Sequence, residues 1–84
     1  MIAKMSDTEL LEIIQKGFIK AFGSEIKGIT LKSTPEDIPG WDSLGHTLLI
    51  SELESIFSIA FDIDEMMEME DVSAIVRVLN RHMQ

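Results

Sequence analysis

The segment 40–46, Gly-Trp-Asp-Ser-Leu-Gly-His, places a carboxylate, a hydroxyl and an imidazole close together in the chain. Ser43 opens an amphipathic helical pattern directly after a long loop, so we expect its hydroxyl to be exposed. A phosphodiester formed on that hydroxyl would lie near the first free N–H groups of the helix and the positive end of its dipole. The segment is therefore suited to carrying a phosphorylated group.

The same residues allow other interpretations. Because His46 follows Ser43 by three residues, the two side chains could share a helix face and form a hydrolase pair. However, the segment lacks the spacing of a nucleophile elbow, and so short a helical chain offers no evident oxyanion hole. We expect His46 to be exposed or to contact a partner protein. Ser43 could also serve only as a helix cap, with Asp42 as a solvated acid.

The acidic residues around position 65 do not have the pattern of a calcium loop. A loop beginning at Asp62 would require glycine where the chain has Met67 and glutamate where it has Ser73. We therefore predict no metal site.

A first helix is predicted over about residues 7–22. Ser6 and Glu9 have the spacing of a capping box, and Gly23 is a suitable stop. Its apolar residues recur at helical intervals and are Leu11, Ile14, Phe18 and Phe22. Residues 24–41 form a long first loop, in which residues 34–37 favour an isolated turn capped by Thr34.

Three further helices are predicted after this loop. Asp42 or Ser43 can cap a second helix that runs to about Ser58, and residues 64–69 form a short third helix. Asp71 caps the last helix, where Arg77 and Arg81 lie near the negative end of the dipole. The apolar positions are Leu49, Ile50, Leu53, Ile56 and Phe57 in the second helix, and Val72, Ile75, Val76 and Leu79 in the last. The predicted fold is all-α, a small four-helix bundle with three main helices.

Size and composition exclude several classes of protein. The 84 residues suit a single domain over 1–84, and hydrophobic and charged contents of 45% and 26% suit a packed core. The net charge of −8 argues against nucleic-acid binding. No apolar run is long enough for a membrane span or signal peptide, so we expect a cytoplasmic monomer. Because the chain has no cysteine, any thiol chemistry requires an added group.

The segment around Ser43 closely resembles the acyl carrier protein family. The attachment signature of that family is Asp-Ser-Leu at the start of the second helix, and Asp42-Ser43-Leu44 matches it. The context agrees as well, since the chain is short and acidic, a long loop precedes the signature, and Leu53-Glu54 is followed by Phe57. The resemblance covers nearly the whole chain.

The resemblance implies a modified serine and a non-enzymatic role. A phosphopantetheinyl transferase would move 4′-phosphopantetheine from coenzyme A onto Ser43, with magnesium held transiently and partly by Asp42. Leu44 would pack at the start of the helix and meet partner enzymes. The thiol of the arm would then hold an acyl group as a thioester, which enzymes that load, condense or transfer acyl groups would use.

The resemblance also implies a partner surface and an acyl pocket. The residues expected to contact partner enzymes are Leu44, His46, Leu48, Glu52 and Glu54. Those expected to line or gate a space for the acyl chain between the second, third and fourth helices are Leu53, Met66, Met67, Met69 and Ile75.

The chain departs from carriers of bacterial fatty-acid synthesis on the exposed face of the second helix. Those carriers usually place carboxylates there, whereas this chain retains Glu52 and Glu54 and otherwise has a less acidic face, with Gly45, His46, Leu48, Ser51 and Ser55. The pattern is more similar to free-standing carriers of specialised lipid, polyketide or saccharide-modifying pathways. The alternative function is an unmodified acidic helical adaptor that binds protein partners.

Overall fold

The computed structural model describes residues 5–23, 26 and 28–83, which form four helices and no strand. The helices are α1 (Asp7–Phe22), α2 (Ser43–Phe57), α3 (Ile63–Glu68) and α4 (Val72–His82). The predicted all-α fold, with three main helices, a short third helix and a long first connection, is confirmed. The N-terminal residues 1–4 and part of the predicted loop, at positions 24, 25 and 27, lie outside the described residues. No helix in the described part of the chain combines the length and apolar character that crossing a membrane requires.

The predicted helix caps explain where α1 and α4 begin. The Glu9 N–H donates to Ser6 Oγ at 3.2 Å, and the Ser6 N–H donates to Glu9 Oε1 at 3.0 Å. At the start of α4, the Ala74 N–H donates to Asp71 Oδ1 at 2.8 Å. These side chains satisfy N–H groups that have no partner within the first helical turn. Both predicted caps are therefore confirmed.

The apolar core is built mainly by the three long helices. In the structure α1 packs against α2 and α4, and α3 packs against α4. The fully buried side chains of the long helices are Leu10, Ile14 and Phe18 in α1, Leu49 and Leu53 in α2, and Val72, Ile75, Val78 and Leu79 in α4. Removing these side chains from water is the main stabilising contribution to such a fold.

The first connection is irregular but held at several points. The Gln15 side chain donates from Nε2 to the Ile26 carbonyl at 3.0 Å and accepts from the Ile29 N–H at 3.2 Å. The Val72 N–H donates to the Ser33 carbonyl at 3.1 Å, which joins the loop to α4. Four apolar loop side chains are buried, namely Ile26, Ile29, Ile38 and Trp41. The loop therefore has a defined course on its way to α2.

The turn predicted at residues 34–37 is present, but its side-chain contacts differ from the prediction. The Asp37 N–H donates to the Thr34 carbonyl at 2.9 Å, as the turn requires. Thr34 does not act as the cap. Instead, Asp37 Oδ2 accepts from both the Thr34 N–H, at 3.0 Å, and the Thr34 hydroxyl, at 3.1 Å. Because a carboxylate can accept several hydrogen bonds at once, Asp37 is the acceptor in this turn and Thr34 is the donor.

Helix α3 is held by polar contacts rather than by burial. None of its own residues is buried, although Met69, directly after it, is fully buried. Glu68 accepts from Arg77 Nε at 3.0 Å and from Arg81 Nη2 at 2.7 Å. The sequence predicted that Arg77 and Arg81 complement the dipole of α4. In the structure they also bind a carboxylate of α3. They tie α3 to α4, and the His82 ring, 2.8 Å from a Glu65 oxygen, adds a further link.

The junction between the loop and α2 depends on a close backbone approach at Gly45. A Cβ built on Gly45 would overlap the Gly40 carbonyl oxygen and would lie 2.7 Å from Phe22 Cε1. Gly40 itself has a φ of +92°, a conformation that side-chain-bearing residues rarely adopt. Glycine at both positions lets the loop lie directly against the first turn of α2.

We expect Gly45→Ala to destabilise the fold by about 1–3 kcal/mol or more, because the obstructing atom belongs to the backbone and cannot rotate away. Urea unfolding followed by circular dichroism measures this change. The matched control is Gly17→Ala, also at a buried helical glycine, where the new Cβ would meet side chains alone, the nearest atom being Leu53 Cδ2 at 3.0 Å. There the gain in helix propensity, about 1 kcal/mol, should largely offset the crowding. Equal effects of the two substitutions would contradict this account of Gly45.

We expect Glu68→Gln to lower the melting temperature at neutral pH but not in acid. Hydrogen bonds from Arg81, and then from Arg77, hold the pKa of Glu68 below its ordinary value of 4.5. Because the folded state has the lower pKa, the stabilisation is present above the unfolded pKa and is lost as the pH falls through the folded pKa. The loss should be small, since Glu68 keeps 30% of its side chain exposed and salt screens such pairs.

Melting curves of the wild type and Glu68→Gln between neutral and acidic pH provide the test. The control is Glu70→Gln. Glu70 is an exposed acid two positions after Glu68, and it forms no ion pair among the described contacts. If the difference between the wild type and Glu68→Gln persisted at acidic pH, the ion pairs would not be its cause.

Candidate functional site

Asp42, rather than Ser43, is the N-cap of α2. The Gly45 N–H donates to Asp42 Oδ1 at 2.8 Å, and the His46 N–H donates to the Asp42 carbonyl at 2.7 Å. Ser43 is therefore the first residue of the helix, and it is exposed. Among the described residues, no hydrogen bond engages the Ser43 hydroxyl. The exposure expected for this hydroxyl is confirmed, while the suggestion that Ser43 serves as the cap is wrong.

The surroundings of Ser43 favour an anion on its hydroxyl. The residue lies in the first turn of α2, where the N–H groups and the helix dipole give a positive potential. The first turn contains no acidic residue, and the nearby Asp42 carboxylate is occupied through Oδ1 by the helix cap. The second oxygen of this carboxylate accepts no hydrogen bond among the described contacts.

A groove of about 460 Å³ opens beside Ser43, between the first loop, the start of α2 and α3. Such a volume falls within the range of about 300–1,000 Å³ that is typical of small-molecule sites. Its lining residues are Pro35, Trp41, Asp42, Ser43, His46, Met66, Met67 and Glu70. The structure thus brings Asp42, Ser43 and His46 together with two of the three methionines that the sequence singled out.

The residues predicted to form an acyl pocket fall into two groups. Met66 is half-buried and Met67 is 70% exposed, and both line the groove. Leu53, Met69 and Ile75 are fully buried in the core and do not line it. The two groups lie on different parts of the chain: Met66 and Met67 belong to α3, whereas Leu53 belongs to α2, Ile75 to α4, and Met69 follows α3 directly.

His46 is half-buried, and both of its ring nitrogens have partners within the chain. Trp41 Nε1–H donates to Nδ1 at 2.8 Å, and Nε2 lies 2.9 Å from the Met66 carbonyl oxygen. Because indole only donates and a carbonyl only accepts, these partners assign a neutral ring with its proton on Nε2. The expectation that His46 is exposed is therefore wrong. In this arrangement neither nitrogen is free to accept a proton from Ser43, so the geometry does not support the hydrolase pair.

Trp41 anchors the loop on the bundle. Its side chain is 5% exposed and meets the Phe18 ring edge-on, with the ring centroids 5.0 Å apart. Aromatic rings prefer this geometry over face-to-face stacking. Burial of Trp41 fixes the residue that precedes the Asp42 cap and thereby helps to position Ser43.

The face of α2 expected to meet partners includes two exposed leucines among polar residues. Leu44 and Leu48 are 74% and 50% exposed, in agreement with the helical repeat. Glu52 is half-buried, while Glu54 accepts from the Phe61 N–H at 2.9 Å and so has a structural contact of its own. On α3, Ile63 and Met67 add further exposed apolar surface, at 72% and 70%.

Sequence reasoning missed several contributions to the site. It did not identify the bridge from His46 to Trp41 and Met66, the approach of Gly40 to Gly45, or the exposure of Ile63. The glycines did carry a signal, since Gly40 and Gly45 stand on either side of the Trp41-Asp42-Ser43-Leu44 segment. No sequence pattern indicated the contacts of His46, because Trp41 and Met66 lie 5 and 20 positions away from it in the chain.

Comparison with known proteins adds no assignment to this geometry. No family model matches the sequence, no curated protein matches it, and no solved structure matches it. Any functional conclusion must therefore rest on the residues of the site and their arrangement.

Proposed function

We propose that this chain is an acyl carrier protein, which holds thioester-linked intermediates on a 4′-phosphopantetheine arm attached to Ser43. The observation that carries the proposal is the exposed Ser43 hydroxyl, without a described partner, at the first position of α2 and within Asp42-Ser43-Leu44. A serine in this position presents a nucleophilic oxygen to a modifying enzyme without disturbing the helix cap.

The attachment is a phosphoryl transfer in which this chain supplies the acceptor. Ser43 Oγ would attack the phosphorus next to the pantetheine of coenzyme A, lose its proton to the transferase, and release adenosine 3′,5′-bisphosphate. The free oxygen of Asp42 can help to hold the magnesium ion that neutralises the phosphates. The start of α2 would then stabilise the phosphodiester that forms.

The arm supplies the chemistry that the chain itself lacks. Since the sequence contains no cysteine, the thiol that forms the thioester comes from the arm. An arm on Ser43 begins inside the groove, where Met66 and Met67 offer apolar contact. Loading, condensation and transfer of the acyl group belong to partner enzymes, and the chain brings the cargo to them.

A second candidate function is an adaptor that binds partners without modification. The observation that favours it is the exposed apolar surface of Leu44, Leu48, Ile63 and Met67. Exposed apolar groups of this kind often mark an interaction surface when they are contiguous. The two functions differ in one measurable property, because only the carrier needs a modified Ser43.

We expect co-expression with a broad-specificity phosphopantetheinyl transferase to add one phosphopantetheine group to the wild type and none to Ser43→Ala. Intact-mass analysis measures the addition. Ser51→Ala is the matched control, since Ser51 is also an exposed serine on α2. Ser43→Ala should change the free energy of unfolding by no more than about 0.5 kcal/mol, because the hydroxyl makes no described contact.

Modification of Ser43→Ala would show that another residue is the acceptor. A wild type that stays unmodified with several active transferases would favour the adaptor.

Asp42→Asn separates the two roles of Asp42, because asparagine caps a helix about as well as aspartate but binds magnesium less strongly. We expect this variant to keep its stability and to be modified more slowly.

We expect enzymes of general fatty-acid synthesis to use this carrier poorly and with a weak dependence on salt. Exposed leucines stand on α2 where such enzymes usually meet carboxylates, so charge steering contributes less to association. Leu48→Glu should raise the elongation rate by about tenfold or less and make it more sensitive to salt. The measurement compares elongation at low and high salt for this protein and for a housekeeping carrier.

The matched control is Ile63→Glu, which adds the same charge at an exposed apolar position of α3. It should leave the rate unchanged if α2 is the docking face. A wild type that already performs like the housekeeping carrier, together with no effect of Leu48→Glu, would contradict the assignment of this face.

A further inference from the structure

His46 joins three separate segments of the chain through one side chain. The residue belongs to α2, its Nδ1 accepts from Trp41 in the first loop, and its Nε2 pairs with the Met66 carbonyl in α3. The two heavy-atom distances are 2.8 and 2.9 Å, which are ordinary for good hydrogen bonds. We refer to this pair of contacts as the His46 bridge.

The bridge is the polar link between α3 and α2. Among the described residues, the polar side-chain contacts from α3 to another helix otherwise run to α4, from Glu65 to His82 and from Glu68 to Arg77 and Arg81. No residue of α3 is buried, and Met66 packs only partly against the core, so little apolar burial within the helix replaces a lost polar contact. Loss of the bridge should therefore free the α2 side of α3 while its α4 side stays attached.

The bridge joins two residues that line the groove. His46 and Met66 both line it, whereas Leu53, Met69 and Ile75 are fully buried in the core. A hydrocarbon chain needs about 4 Å to each neighbouring heavy atom. It cannot pass between two atoms that are 2.9 Å apart, so an acyl chain that moves inward at this point must first break the His46–Met66 bond.

We propose that His46 is a positioning residue that closes α3 against α2 and restricts the passage of apolar cargo from the groove into the core. The inference rests on the proposed carrier function and adds a selectivity to it. Short acyl groups remain in the groove whether the bridge is closed or open. The thioester of a longer acyl chain is protected from attack only when the His46 bridge opens and the chain becomes buried.

The two contacts of the bridge can be separated by substitution. Glutamine can place an amide nitrogen near the position of Nε2 and still donate to the Met66 carbonyl. Asparagine can place its oxygen near Nδ1 and still accept from Trp41, but it is too short to reach Met66. His46→Gln should therefore keep α3 closed, and His46→Asn should release it.

The matched control is His82→Asn, which removes the histidine on the opposite side of α3. His82 is also half-buried and lies 2.8 Å from Glu65 of α3. This variant loosens α3 from α4 but leaves the His46 bridge in place. It therefore separates a specific role of the bridge from a general loosening of the helix.

The first measurement uses the unmodified protein, so that it does not depend on the carrier function. In hydrogen exchange, the Met66 and Met69 amides should exchange about tenfold faster in His46→Asn than in the wild type, the factor expected for loss of one hydrogen bond. His46→Gln should behave like the wild type. Unchanged exchange in His46→Asn would overturn the role of the bridge in holding α3.

The second measurement uses protein that carries acetyl or octanoyl phosphopantetheine on Ser43. Hydroxylamine cleaves the thioester, and the reaction slows when the acyl chain is buried. In His46→Asn the octanoyl thioester should react about tenfold more slowly than in the wild type, as burial of a few methylenes would produce. The acetyl thioester should react at the same rate in every variant, and His46→Gln and His82→Asn should match the wild type.

The outcomes separate the inference from the proposed function. If no transferase modifies Ser43, both the carrier function and the control of cargo are overturned, while hydrogen exchange still tests the bridge. If Ser43 is modified but octanoyl reacts at the wild-type rate in His46→Asn, only the control of cargo is overturned. Equal protection of octanoyl in His82→Asn would also overturn it, because general loosening of α3 would then suffice.

Discussion

The close contact between the first turn of α2 and the backbone of the preceding loop is the constraint on which the site depends. Gly45 provides the space for the Gly40 carbonyl, and the loop then turns Trp41 into the core. With Trp41 buried, Asp42 is placed to cap α2, and Ser43 is left exposed at its first position. The site is thus built from the core outward, and a side chain at position 45 would disturb each of these steps.

Two kinds of interaction stabilise different parts of the molecule. The long helices bury apolar side chains, which gives a contribution that salt and pH change little. Helix α3 is held by ion pairs and by the His46 bridge, and such polar contacts are more sensitive to solution conditions. Because Met66 and Met67 of α3 line the groove, we expect the part of the fold beside Ser43 to respond more strongly to salt and pH than the core does.

The charge of the molecule bears on how the proposed carrier would meet its partners. The charged side chains that line the groove are the acids Asp42 and Glu70, whereas the neighbouring face of α2 exposes Leu44 and Leu48. A partner that matches this surface needs apolar contacts at its centre and basic groups near the groove. Such a combination favours particular enzymes over those that rely on charge steering alone.

The sequence by itself determined the four helices, most of their caps and the exposed hydroxyl of Ser43 at the start of α2. Helical periodicity and capping act over a few residues, so Ser6, Asp71 and the buried stripes could be recognised without the fold. Tertiary structure alone decided the hydrogen-bond partners of His46 and the acid that Arg77 and Arg81 bind. It also decided which methionines line the groove. Those contacts join residues far apart in the chain, and local patterns do not specify them. Packing against the rest of the bundle also decided that Met66 and Met67 of α3 line the groove while Met69, directly after the helix, is buried.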